Sequence, residues 1–343
     1  MLRTIELDRG DAGVRLDLVL ARHLAGVQGV TRSRLQRWIA EGQVTVNSRI
    51  VRRVASRVAP GDAIVVTLPA AAPRRALAAS DLPVEVLYED ADLLAVNKPP
   101  GLVAHPTHAH ADGTLLNALA GLARTWPEGQ RPSLLNRLDK LTSGVVLVAR
   151  TAAFHASLQR ALASRAAEKD YLAIVYGKPP LTGTIELRLQ RDGVDRRKIV
   201  ASATRGLPST TRFARLSTAR LGAGVWLSLV RCRLVTGRTH QIRVHLASSG
   251  WPIVGDPVYG EPRWESVRDD SLRERLRTFP RQALHAWRIA FPHPNGGAKV
   301  TIEAPIPEDL RALDLFSPPC EAAARAGYPR RESRDPLRAR LRS

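Results

Sequence analysis

Residues 69–80, Pro69-Ala-Ala-Ala-Pro-Arg-Arg-Ala-Leu-Ala-Ala-Ser80, carry neither a helical nor a strand period. A low-complexity stretch of this kind cannot join a packed core, so it divides the chain into a short and a long folding segment. The 343 residues exceed one ordinary core and suffice for two domains plus a tail. The expected organisation is a module over 1–68, a linker over 69–82, a larger domain over 83–308 and a basic tail over 309–343.

The short segment patterns as two helices and a small sheet. Leu16, Val19, Leu20 and Leu24 recur on one helical face. Thr31 is placed to cap a second helix that runs through Leu35, Trp38 and Ile39 and stops at Gly42. Val44–Asn47 and Ala63–Thr67 read as strands, the latter after the Pro60-Gly61-Asp62 turn. Away from its apolar stripe the second helix carries Arg32, Arg34 and Arg37. Thr31-Arg-Ser-Arg-Leu35 with Gly42-Gln-Val-Thr-Val-Asn47 resembles the alpha-L-like RNA-binding module of a small-subunit ribosomal protein. The three arginines are then candidate phosphate contacts, against the plainer reading of a solvated helix face.

Charge points the same way. Lys and Arg number 52 against 32 Asp and Glu, a formal net charge of +20. Such an excess favours a polyanionic partner, because neutralised phosphates release counterions. The 2 cysteines, Cys232 and Cys320, have no zinc-finger or disulfide spacing, which fits a reducing compartment. No apolar run approaches the roughly 20 residues of a membrane span, and the N-terminus lacks the apolar core of a signal peptide. A cytoplasmic protein is expected.

In the long segment strand-like runs occur at 93–96, 145–148, 171–176, 226–230 and 285–291, and helical runs at 114–124, 153–165 and 240–248. They do not alternate regularly, so an α+β domain with a largely antiparallel sheet is expected. Leu135-Asn-Arg-Leu-Asp-Lys-Leu-Thr-Ser-Gly-Val-Val-Leu-Val-Ala-Arg150 sets Asp139 in a polar loop directly before a buried strand. A carboxylate at a sheet edge can serve as a rigidly held nucleophile, although an Asp there more often caps its turn.

Arg137-Leu-Asp-Lys-Leu-Thr-Ser-Gly144 resembles the signature of the RluA-type family of RNA pseudouridine synthases. The likeness continues in order. Val96-Asn-Lys-Pro-Pro-Gly-Leu102 with His105-Pro106, Glu168-Lys-Asp-Tyr-Leu-Ala173, Thr236–Leu246, Gly255-Asp-Pro-Val-Tyr-Gly260 and Leu284-His-Ala286 each resemble a family motif. With the N-terminal module the resemblance covers about nine-tenths of the chain. It implies a pseudouridine synthase fold behind a small RNA-binding domain, acting on RNA with no cofactor or metal; no obligatory protein partner is evident in the sequence, so a monomer is expected. It implies Asp139 as nucleophile, Tyr171 stacked on the target base, Arg243 paired with Asp139, and substrate contacts from Arg137 and Lys169. Large-subunit ribosomal RNA is the implied substrate, with transfer RNA as the alternative. One position departs from the family: Asn136 stands where His is usual, and a loop-shaping role can survive that change.

Two other functional classes fit the sequence less well. Thr107-His-Ala-His-Ala-Asp112 resembles a zinc-binding loop of the metallo-β-lactamase fold, but the final His is Gly113 and no downstream ligands follow. A non-catalytic RNA-binding protein is disfavoured by the intact Asp139, Tyr171 and Arg243. There is no P-loop and no GxGxxG fingerprint.

Overall fold

The computed structural model describes residues 2–24, 27, 30–68, 79–107, 112–164, 166–195, 197–221 and 225–316. The chain forms two compact units that meet in sequence at residue 76.

The first unit contains β1 (Leu2–Glu6), α1 (Leu16–His23), α2 (Arg32–Ala40), β2 (Val44–Val46), β3 (Arg49–Ile50) and β4 (Ala63–Thr67). The strands form an antiparallel sheet in the order β1-β4-β2-β3. Period-2 alternation sends Ile64 and Val66 of β4 inward, where they meet Leu16, Val19 and Leu20 of α1 and Leu35, Trp38 and Ile39 of α2. The Thr31 hydroxyl accepts from Arg34 N at 3.3 Å, capping α2 as expected. Strand β1 was not anticipated. Its Leu2-Arg-Thr-Ile-Glu6 pattern buries Ile5 alone and is fixed by pairing with β4.

The second unit contains β5 (Glu85–Glu89), β6 (Leu93–Lys98), α3 (Leu115–Leu122), β7 (Ser133–Leu134), β8 (Ser143–Ala149), α4 (Ala152–Ala163), β9 (Glu168–Tyr176), β10 (Thr182–Arg191) and β11 (Ile199–Ser202). It continues with β12 (Leu207–Arg220), β13 (Trp226–Leu234), α5 (Gln241–Ser248), α6 (Asp270–Arg277), β14 (Leu284–Pro292), β15 (Lys299–Glu303) and α7 (Glu308–Arg311). One sheet of 11 strands runs β11-β10-β12-β13-β9-β14-β8-β6-β5, with β15 on β14 and β7 on β8. Every pairing is antiparallel except β8 with β14. The α+β class and the largely antiparallel sheet are as expected.

Strand β8 explains why the region after Asp139 reads as a continuous apolar run. Both of its faces are covered. Val145, Leu147 and Ala149 pack with Phe154, Leu158 and Leu162 of α4. Val146 and Val148 pack with Leu115 and Leu119 of α3. At its start Gly144 has φ +115°, and a Cβ there would lie 2.2 Å from the Ala286 carbonyl oxygen. Only glycine lets β8 and β14 approach closely enough to pair in parallel.

Two expected boundaries shift. Ser80, placed in the linker, already donates its N–H to the Asn117 carbonyl at 3.0 Å, while residues 69–78 lie outside the described residues. The basic tail expected from 309 begins inside the fold: Leu310, Leu313 and Leu315 are buried in the larger core. Their apolar spacing is short and masked by the arginines around it. Residues 317–343 lie outside the described residues, as do residues 108–111 of the histidine-rich loop. Among the described residues no helix is long and apolar enough to cross a membrane.

Candidate active site

The loop from Asn136 to Thr142 enters β8 and is fastened from three sides. Asn136 bonds the strand it precedes, donating to Val145 O at 3.0 Å and accepting from Leu147 N at 2.8 Å. Its amide thus extends the ladder of β8 into the loop. Thr142 N donates to Asp139 O at 3.0 Å, closing the turn. From the chain entering β14, Gln282 bonds the Thr142 hydroxyl at 3.0 Å and His285 bonds the Ser143 hydroxyl at 2.9 Å. Arg281, paired with Asp309 at 2.6 Å, donates to the Gln282 and Leu284 carbonyls.

The third fastening is Lys98, at the end of β6. It is fully buried and donates to the carbonyls of Pro99, Leu102 and Lys140 at 2.9, 2.9 and 3.1 Å. One ammonium therefore ties the Pro99-Pro100-Gly101 turn to the residue next to Asp139. Burial, reinforced by Arg281 and opposed by Asp139, brings its pKa down to about 7.

Arg243 projects from α5 and is the hub of the site. Its Nη1 donates to Asp139 Oδ2 at 2.9 Å, and its Nε and Nη2 grip Asp256 at 2.7 Å each. The arginine side chain is 4% exposed, Asp256 is 0% exposed and Asp139 is 25% exposed. Burial opposes the charged guanidinium, but the hydrogen bonds and charges of Asp256 and Asp139 outweigh it and raise its pKa. Asp256 is itself held by Val258 N at 2.9 Å and Tyr259 N at 3.0 Å. Helix α5 is anchored at its first residue: Gln241 donates to Thr210 O at 3.0 Å and accepts from Arg238 N at 3.0 Å. Strand and turn contacts thus fix Arg243, and Arg243 fixes one oxygen of Asp139. Oδ1 has no hydrogen bond among the described residues.

Tyr171 lies on β9, half-buried between the two main cores. Burial and the Asp139 charge both raise the pKa of its phenol, which keeps the hydroxyl neutral. Arg137 is exposed, and its charge helps burial lower the pKa of His105. Asp139, Tyr171 and Arg243, 104 positions apart at the extremes, therefore converge.

Lys169 does not join them. Its ammonium donates to Leu162 O near the C-terminus of α4 at 3.0 Å. In the first unit Arg32 bonds the buried Asp17 at 3.2 Å, alongside Arg15 and Gln36, so part of its charge is engaged within the fold. Arg37 is exposed and Arg34 half-buried. Lys98, Asp256 and Arg281 carry no visible role in the sequence alone. Lys98 and Asp256 sit inside family-like motifs, but only the fold shows what they hold.

A carboxylate with one oxygen bound and the other open, beside a neutral aromatic ring in a partly dry site, suits attack on an electron-poor carbon or stabilisation of a cationic one. Residues 92–248 match the RNA pseudouridylate synthase family, and residues 14–64 match the S4 domain. The chain is 38% identical over 303 residues to the ribosomal large subunit pseudouridine synthase D of Neisseria meningitidis serogroup B, covering 88% of this chain and 78% of that one. It is 39% identical over 299 residues to the protein of the same name from Pseudomonas aeruginosa, covering 87% and 90%. Among solved structures, human RNA pseudouridylate synthase domain containing 1 aligns with a TM-score of 0.54 and 29% identity, over 72% of this chain and 97% of that one. Sequence, fold and the arrangement around Asp139 agree, and the chain belongs to the RNA pseudouridine synthase family.

Proposed function

We propose that this enzyme isomerises uridine to pseudouridine in large-subunit ribosomal RNA, with Asp139 as its nucleophile. The observation that carries the catalytic reading is the Arg243–Asp139 contact at 2.9 Å in a site that leaves Oδ1 open. The target base is drawn out of its stack, at a cost of a few kcal/mol that stacking on Tyr171 and occupation of the gap by Arg137 partly return. Asp139 then attacks or stabilises the sugar–base unit while the bond from ribose to nitrogen breaks. The uracil turns, ribose is rejoined through carbon 5 as any bond to Asp139 breaks, and the carbon-5 proton leaves while the freed ring nitrogen takes one up, so that the product is an isomer of the substrate. Arg243, bonded to Asp139 Oδ2 at 2.9 Å, holds the carboxylate in place and compensates its charge as base binding closes the site. These residues carry out each step without a redox change or a phosphate transfer.

The ribosomal substrate is supported by similarity to proteins named for the large ribosomal subunit, which spans both units of this chain. It is supported too by the net charge of +20. The first unit contributes phosphate contacts, for which the exposed Arg37 is the best placed of the three arginines. The protein acts as a monomer in the cytoplasm. Mapping pseudouridine in ribosomal and transfer RNA from cells with and without the gene tests the reading. Loss of sites confined to the large-subunit RNA is the expected result; loss confined to transfer RNA would overturn it.

A further inference from the structure

The residue before α5 is conformationally costly. His240 has φ +54° and ψ 16°, the left-handed region, which is uncommon for any residue other than glycine. Such outliers persist where the surrounding structure holds them, and they often mark functional sites. The turn brings the His240 ring beside Asp139, with Nε2 at 3.8 Å from Oδ2, the oxygen that Arg243 already holds.

The other ring nitrogen fixes the proton. His240 Nδ1 is 2.9 Å from the Tyr259 hydroxyl, and that hydroxyl accepts from Ile199 N at 2.8 Å. With its oxygen accepting from a backbone N–H, the phenol satisfies its own O–H by donating to Nδ1. A neutral imidazole accepting at Nδ1 carries its proton on Nε2, facing the carboxylate. Burial favours that neutral form. The rings pack edge to face at 5.7 Å, and the Arg243 guanidinium lies 5.0 Å from the Tyr259 ring. Tyr259 therefore orients both groups that address Oδ2.

We propose that His240, its tautomer set by Tyr259, is a positioning residue that donates from Nε2 to Oδ2 of Asp139 once RNA closes the site. Two donors on Oδ2 leave Oδ1 as the reacting oxygen and stop the carboxylate from rotating. A contact that is long in the free enzyme and shortens in the complex is usual for catalytic hydrogen bonds. The inference rests on Asp139 being the nucleophile.

The test uses the full-length enzyme and four variants: His240→Asn, His240→Gln, Tyr259→Phe and the His240→Asn/Tyr259→Phe double variant. Asn tolerates the left-handed backbone but is too short to reach Asp139, whereas the Gln amide extends to the position of Nε2. Single-turnover pseudouridine formation, RNA affinity and the urea midpoint are measured for each. Expected are a rate loss of about ten- to hundredfold in His240→Asn with unchanged affinity, and partial rescue in His240→Gln. Tyr259→Phe should lose several-fold, and the double variant should be no slower than His240→Asn, because the Phe ring still lies against Arg243 and the lost hydroxyl acts on Asp139 through the histidine. A parent-like rate in Tyr259→Phe, or losses that multiply in the double variant, overturns the proposal even where His240→Asn folds poorly. Asp139→Asn is run alongside. If it is inactive while the His240 and Tyr259 variants are normal, this inference alone fails; if it turns over, the nucleophile reading fails first.

Discussion

Replacing Asp256 by Asn changes one atom and should disable the hub of the site. Asp256 Oδ1 accepts from Arg243 Nη2 at 2.7 Å and from the N–H groups of Val258 and Tyr259 at 2.9 and 3.0 Å; Oδ2 accepts from Arg243 Nε at 2.7 Å. All four partners donate. The amide nitrogen of Asn must displace one acceptor, and the least damaging place is opposite Arg243 Nε, where two donors then face each other. A lost charge-assisted hydrogen bond is worth about 1.5–3 kcal/mol, and uncoupling a buried pair costs about 3–5 kcal/mol. Asp139 still compensates part of the guanidinium charge, so a loss of about 3 kcal/mol is expected. At a urea slope of about 3 kcal/mol/M that is a midpoint lowered by about 1 M. The rate should fall further than stability implies. Arg243 loses its two-pronged anchor, and a shift of about 1 Å in a catalytic group typically costs about a hundredfold. Urea titration and single-turnover kinetics, the latter at a temperature where both proteins are folded, read the two effects separately. A midpoint within about 0.3 M of the parent together with a rate within about threefold would refute the view that Asp256 holds Arg243 in place.

Gly144→Ala should destabilise by several kcal/mol, since it adds strain of about 1–3 kcal/mol at φ +115° to a clash at 2.2 Å with Ala286 O; an unchanged urea midpoint would contradict the close β8–β14 approach. His245 and His285 have pKa values lowered to about 4 by burial, below the ordinary 6.5, so each contributes stability that is fully present above pH 6.5 and is lost as pH falls towards 4. At pH 5 the loss is about 2 kcal/mol for each, and a urea midpoint that stays level from pH 7 to pH 5 would count against it. Arg37→Ala should weaken RNA binding about equally across sequences and reduce the salt slope by about 1; an unchanged slope would mean that this helix does not meet phosphate.

Much of this architecture was legible because local signals agree with the fold. Thr31 and Gly42 marked the ends of α2, and the apolar run after Asp139 marked a doubly covered strand. Strand β12 escaped because Leu207–Arg220 carries few apolar residues in no strict period, whereas β10 was overlooked although Ile185-Glu-Leu-Arg-Leu-Gln190 alternates cleanly. They are specified by pairing with each other and with β13. For the site, the motifs gave Asp139, Tyr171 and Arg243, and the fold brings them together. What Lys98 and Asp256 do depends on carbonyls and a guanidinium supplied by distant segments, such as Lys140 for Lys98. No spacing in the chain encodes those contacts. The same limit applied to Arg32 and Lys169, whose charges looked available until Asp17 and the Leu162 carbonyl appeared beside them.

The central claim is that Asp139 supplies the reacting oxygen, and Asp139→Asn tests it most directly. Asn is nearly isosteric and can still accept from Arg243 through its amide oxygen, so the variant should fold and bind RNA within about tenfold of the parent, roughly 1.4 kcal/mol. An amide is a poor nucleophile and carries no charge to stabilise the sugar. With enzyme in excess over RNA, the account predicts no detectable pseudouridine in a single turnover while a binding titration of the same RNA stays near normal. Turnover within about a hundredfold of the parent, roughly 2.7 kcal/mol of barrier, would contradict it.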